Sequence, residues 1–187
     1  MSICFILSLI ISGISCEFND KTENKNETSG IEKKEITNEY IIVSKVIDGD
    51  TFKMSDGSKV RLIGIDTPEK FDSDKLNRES DMTGRDKETI KKLGEAASEY
   101  VRKLVEGKRV TLVRESGYED KDKYNRLLRY VYLEDGTFVN ARIIEDGYAN
   151  VYNAAAVSKK NEFKRLEREA RESKRGLWGE VNGLRQY

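Results

Sequence analysis

The chain has 187 residues, 36% of them charged, and its 34 basic and 34 acidic side chains cancel to a formal charge of zero. It has no histidine, which excludes histidine general bases, Ser-His-Asp triads, HExxH zinc proteases and histidine-metal nucleases. Its two cysteines, Cys4 and Cys16, both lie in the N-terminal apolar segment, so the remainder has no disulfide, thiol nucleophile or cysteine zinc site. Metal chemistry there has to use oxygen ligands, the preference of Ca²⁺ and Mg²⁺.

Residues 1–16 are apolar, too short for a stable bilayer span of about 20 residues, and match the apolar and cleavage regions of an export signal. No positive stretch precedes them, as expected if the true start lies upstream. Gly13-Ile14-Ser15-Cys16 resembles a bacterial lipobox, in which Cys16 would be lipidated and become the mature N-terminus. The expectation is therefore an exported chain, either lipid-anchored and facing the cell exterior or periplasm, or secreted. Residues 17–38 are rich in Glu, Lys, Asn, Thr and Ser, bury too little to fold alone, and read as a disordered tether. Residues 17–39 carry a net charge of −3, which leaves +3 on the remainder and gives weak support for an anionic partner.

Residues 39–187 read as one folded domain. Tyr40–Ile47, Thr51–Met54 and Lys59–Ile65 are predicted strands separated by Asp-Gly turns, an antiparallel meander. The turns are short enough to return Asp50 beside Arg61 and Asp66. Lys70–Lys87 has no apolar period and is expected to be a long loop. Ile90, Leu93, Ala97, Val101 and Leu104 mark an amphipathic helix over Glu88–Glu106, with Gly107 as its C-terminal stop. Arg109–Glu115 and Leu127–Leu133 are the fourth and fifth strands, and a short helix follows between Phe138 and Gly147. Tyr148–Tyr152 is read as irregular, and Ser158–Lys174 as a charged helix with an apolar stripe at Phe163, Leu166 and Ala170. The expected fold is α+β, mainly β barrel: a five-stranded OB-type barrel with about three α-helices.

Three constellations carry candidate chemistry. Asp50, Asp66, Thr67 and Glu69 offer carboxylate and carbonyl oxygens to a hard cation, although either aspartate alone reads as well as a turn or cap residue. Arg61 and Arg126 come from different strands, and their planar forks match phosphate oxygens, or else pair with the many carboxylates nearby. Asp122-Lys123-Tyr124-Asn125-Arg126 places a cation beside an aromatic ring, which suits a nucleotide or simply a charged loop with a tucked tyrosine.

These blocks, in order, with Val46-Ile47-Asp48-Gly49-Asp50-Thr51, Arg61 to Glu69, Gly94-Glu95-Ala96-Ala97 and the closing Gly176-Leu177-Trp178, resemble the staphylococcal nuclease-like (thermonuclease) family over about residues 39–179. The resemblance implies an OB barrel with three helices and a Ca²⁺-dependent phosphodiesterase acting on DNA and RNA, with one calcium ion. It implies Asp50, Asp66 and the Thr67 carbonyl as calcium ligands and Glu69 as general base. Arg61 and Arg126 become the phosphate clamp, and Lys123, Tyr124 and Tyr152 substrate contacts. It further implies 5′-O–P cleavage leaving 3′-phosphates. The chain is read as a monomer with no protein partner. Two rival readings are a non-catalytic nucleic-acid-binding OB-fold surface lipoprotein and a surface domain that contacts protein or host ligands.

Overall fold

The computed structural model describes residues 39–181 and 184–185. The export segment over 1–16, the tether over 17–38 and Cys16 lie outside the described residues. The strands are β1 (Ile41–Asp48), β2 (Thr51–Met54), β3 (Lys59–Leu62), β4 (Ile65–Asp66), β5 (Arg109–Val113), β6 (Leu127–Leu133), β7 (Asn150–Val151), β8 (Glu180–Val181) and β9 (Leu184–Arg185). The helices are α1 (Asp74–Thr83), α2 (Lys87–Val105), α3 (Val139–Glu145) and α4 (Lys160–Glu172), with a 3₁₀ turn at Gly176–Trp178.

Five strands close into a barrel in the order β1-β2-β3-β6-β5. The first three form the expected antiparallel meander, and closure comes from a parallel pairing of β3 with β6, Val60 opposite Leu127. Alternation along the strands, reset in β1 by a register shift between Val43 and Lys45, sends Val43, Val46, Phe52, Met54, Val60, Leu62, Val110, Val131 and Leu133 inward. Val101 and Val105 of α2 and Ile143 and Ile144 of α3 join the same core, so the helices cap the barrel. On α4 the stripe Phe163, Leu166 and Ala170 is buried as its spacing requires.

The predicted third strand is shorter than its apolar run. It stops at Leu62 because Gly64 takes a left-handed backbone (φ 78°), where a Cβ would also meet the Phe163 ring at 2.7 Å. The chain resumes at β4, which pairs not with the barrel but with β7, Asp66 opposite Asn150. The stretch expected to be irregular, Tyr148–Tyr152, thus contains a strand.

Lys70–Lys87 is not a continuous loop: α1 occupies Asp74–Thr83, giving four α-helices rather than about three. Ser73 caps its first turn by accepting from the Leu76 amide, and Gly84 ends it in the left-handed region. Of its residues Leu76 alone is buried, which is why no apolar period announces it. Among the described residues no helix is long and apolar enough to cross a membrane.

Candidate functional site

The β3–β4 break delivers a cation and several carboxylates to one end of the barrel. Arg61 stands opposite Thr51 in the β2–β3 ladder, so Asp50 at the β1–β2 turn lies beside it. The Arg61 guanidinium reaches Asp50 Oδ2 at 3.1 Å and Asp66 Oδ1 at 2.9 Å, bridging the two aspartates. Asp50 is buried, and its Oδ2 also accepts from the Thr67 amide at 3.1 Å. Burial pushes the Asp50 carboxyl up, but Arg61, Lys75 and hydrogen bonds from Thr67 and Thr51 outweigh it and hold the group below the usual value. Asp66 is raised, by burial first and by Asp50 behind it, against the pull of Lys75 and Arg61.

Glu69 is also buried. Its Oε1 accepts from the Lys70 and Phe71 amides at 3.0 and 3.2 Å, and its Oε2 accepts from the Ser73 hydroxyl at 3.2 Å. Its own amide donates to Glu79 Oε2 at 3.1 Å. The carboxylate is therefore fixed from the loop and from the cap of α1 together.

Arg126 enters from the start of β6. Its Nε and Nη2 lie 2.7 and 2.6 Å from Asp122 Oδ2, and its Nη1 donates to Thr51 Oγ1 at 3.2 Å. Asp122 Oδ1 also accepts from the Tyr124 and Arg126 amides, which closes the 122–126 turn around Asn125 in a left-handed conformation. Tyr124 is exposed, with the Lys123 ammonium 5.0 Å and the Arg126 guanidinium 5.3 Å from its ring centre. Tyr152 reaches the same space from beyond β7, its amide tied to the Gly64 carbonyl at 3.0 Å. A cleft of about 1140 Å³ is lined by Asp50, Arg61, Asp66, Glu69, Lys123, Tyr124, Arg126 and Tyr152. Of the expected site residues, Thr67 does not line the cleft; it is buried behind Asp50.

The family model for staphylococcal nuclease homologues matches residues 59–180. The chain belongs to the staphylococcal nuclease family. An uncharacterised protein of Methanocaldococcus jannaschii is 30% identical over 190 residues, 97% of this chain and 90% of that protein. The thermonuclease of Staphylococcus intermedius is 36% identical over 118 residues, 62% of this chain and 61% of that one. An uncharacterised endonuclease of Escherichia coli O157:H7 is 32% identical over 143 residues, 75% and 77% of the two chains. The closed barrel with α2, α3 and α4 fits this staphylococcal nuclease assignment, and α1 is an addition to what the sequence led us to expect.

Asp50 and Asp66 in this staphylococcal nuclease cleft, with the Thr67 carbonyl behind them, supply the hard oxygen that a calcium ion wants. Asp66 Oδ1 and the Thr67 carbonyl already converge on one cation, the Lys75 ammonium, at 3.1 and 2.9 Å. Among the described residues no group of three or more His, Cys, Asp or Glu side chains is arranged as a metal site. The set here has two carboxylates and a main-chain oxygen, with Arg61 and Lys75 between them.

Several residues of the cleft were not singled out from sequence, Asp48 and Lys75 among them. Asp48 reads as part of an Asp-Gly turn, yet it lines the cleft, and burial, then Asp50, pushes it up to about 6. Its place in Asp48-Gly49-Asp50 was a usable signal. Lys75 had none, because it lies nine positions beyond Asp66 in a stretch with no apolar period.

Proposed function

We propose that the chain is a calcium-dependent endonuclease that hydrolyses phosphodiester bonds of DNA and RNA. The observation that carries this reading is the gathering of Arg61, Arg126, Glu69 and two aspartates on one cleft beside a cation-flanked tyrosine. The named endonuclease and thermonuclease relatives support it.

In this reading Asp50, Asp66 and the Thr67 carbonyl would hold Ca²⁺, which would supply Lewis acidity toward the phosphate. Glu69 removes a proton from water as its oxygen attacks phosphorus. Arg61 and Arg126 pair with the equatorial oxygens, where charge accumulates. The P–O5′ bond breaks, and solvent protonates the departing alkoxide. Lys123 pairs with a neighbouring phosphate, while Tyr124 and Tyr152 offer rings or phenols to the nucleotide. Guanidinium groups already matched to carboxylate oxygens are preorganised for phosphate oxygens of similar spacing.

The test is cleavage of single-stranded DNA and RNA by the full chain, with CaCl₂ or with chelator, beside Glu69→Gln and Arg61→Ala. Calcium-dependent cleavage that falls by about 10²-fold or more in each variant is expected. No cleavage by the wild type with any divalent ion would leave a binding module. Full activity in Glu69→Gln would remove Glu69 as the base. We read the chain further as a monomer exported and lipidated at Cys16; the intact mass of the mature protein checks the lipid.

A further inference from the structure

We propose that Lys75 is a tethered counter-cation that occupies the cation seat formed by Asp66 and Thr67 and must leave it before a divalent ion can bind. The inference rests on the metal-dependent reading above and adds an exchange step to it.

The geometry is unlike that of a surface ion pair. The Lys75 ammonium lies 3.1 Å from Asp66 Oδ1 and 2.9 Å from the Thr67 carbonyl oxygen. A salt bridge needs the carboxylate alone. Here one ammonium binds both a carboxylate oxygen and a main-chain oxygen of the same dipeptide, the pairing a hard cation would make. Arg61 already bridges Asp50 and Asp66 from the barrel side, so Lys75 supplies the second positive charge that this carboxylate pair requires in the absence of metal. An ammonium and a divalent ion drawn to the same two oxygens repel each other strongly.

The side chain that makes the contact is free to withdraw. Lys75 remains about one-third exposed (35%), whereas Asp50 is sealed at 4%. Its helix is held to the site by few bonds: Lys75 itself, the Ser73 hydroxyl on Glu69 and the Glu79 carboxylate on the Glu69 amide. Leu76 is the buried residue of α1. Displacing Lys75 therefore removes one of the ties that pin α1 over Glu69. Cation binding and the loss of that tie become one event, and the resting chain carries a neutralised aspartate pair.

Calcium titration calorimetry on the full chain tests this with wild type, Lys75→Met, Lys75→Gln and Arg78→Met. Arg78 lines the same cleft from α1, so its variant removes an equal charge from the same helix with no bond to the seat. Binding should tighten about tenfold in both Lys75 variants and by less than about threefold in Arg78→Met. The same Lys75 variants should melt below wild type in chelator and lose that deficit in CaCl₂. Equal affinities in the Lys75 and Arg78 variants, or weaker or unmeasurable binding in Lys75→Met and Lys75→Gln, would overturn the exchange. Undiminished cleavage by the wild type in chelator, lost in Lys75→Met, would also overturn it, because the ammonium would then replace the metal instead of yielding to it. Calcium-dependent cleavage without an affinity difference removes the role of Lys75 alone. An affinity difference without cleavage in any cation removes the hydrolytic reading and leaves the exchange standing.

Discussion

Gly94, in the middle of α2, lies directly against the backbone of Glu69. A Cβ at Gly94 would stand 2.7 Å from the Pro68 carbonyl oxygen and 2.8 Å from the Glu69 carbonyl. The helix and the loop carrying the candidate base touch main chain to main chain, which only the absence of a side chain permits. Gly94→Ala should gain up to about 1 kcal/mol of helix propensity and still come out destabilised by about 1–3 kcal/mol, because backbone rather than a flexible side chain has to move. Displacing Glu69 should also lower the cleavage rate about 10–100-fold. Denaturant unfolding and single-turnover kinetics measure the two effects. A variant as stable as the wild type would show that the loop yields freely.

Arg61 has a structural duty besides the phosphate contact proposed for it. It is the guanidinium between Asp50 and Asp66, and Asp50 is buried. Arg61→Met leaves that carboxylate without its closest charge partner. In chelator the variant should lose about 2–4 kcal/mol, less than a fully enclosed pair because Asp66 is partly exposed. Saturating CaCl₂ should restore most of that loss, since a divalent ion neutralises the same oxygens. Thermal melts with and without the ion separate this from the catalytic defect, which the ion should not restore.

Asp122 organises the arm of the cleft that carries Tyr124 and Arg126. Burial raises its carboxyl, but the Arg126 amide and guanidinium and the Tyr124 amide outweigh that and lower it overall. A carboxyl lowered on folding stabilises the fold at pH values above its unfolded value of 3.8. That contribution disappears as pH falls through the folded value. Asp122→Asn should thus cost about 1–2 kcal/mol at neutral pH, discounted for partial exposure, and the gap to wild type should close below about pH 4. Urea melts across that range read the convergence. A gap independent of pH would mean that hydrogen bonding, and not charge, holds the loop.

The order of strands and most of the cleft are legible in the sequence because they follow from local rules. Alternating β-formers between Asp-Gly turns define β1 to β3, and the period of Ile90, Leu93, Ala97 and Val101 defines α2. Asp50 and Arg61 come together because a short hairpin leaves no other choice, and Asp66 follows only five residues beyond Arg61. What escaped is tertiary. α1 is stabilised by a cap and by polar bonds to Glu69, so its composition looks like a loop. β4 and β7 are two residues each and exist only because Gly64 turns the chain out of the barrel toward Asn150. The position of Lys75 depends on both, and no spacing rule reaches it.

That same departure at Gly64 creates a problem which Asn140 solves. Where β3 turns away, β6 continues with main-chain groups that need partners. The Asn140 side chain, fully buried in α3, accepts from the Val131 amide at 3.0 Å and donates to the Ile63 carbonyl at 3.0 Å. It acts as a peptide unit inserted where the ladder has parted, and so fixes the exit of the segment carrying Asp66 and Glu69. Asn140→Leu fills similar space but orphans a buried donor and a buried acceptor, at a cost of about 2–4 kcal/mol. Asn140→Asp should be worse: it keeps the acceptor for Val131 but turns a carboxylate oxygen toward the carbonyls of Ile63 and Arg129. Its deficit should shrink as pH falls and the carboxyl protonates, since a neutral acid can donate to the Ile63 carbonyl as the amide does. Unfolding of both variants across pH distinguishes the two: the Leu deficit stays constant while the Asp deficit falls. If Asp is tolerated as well as Asn at neutral pH, the clip does not depend on donation to Ile63.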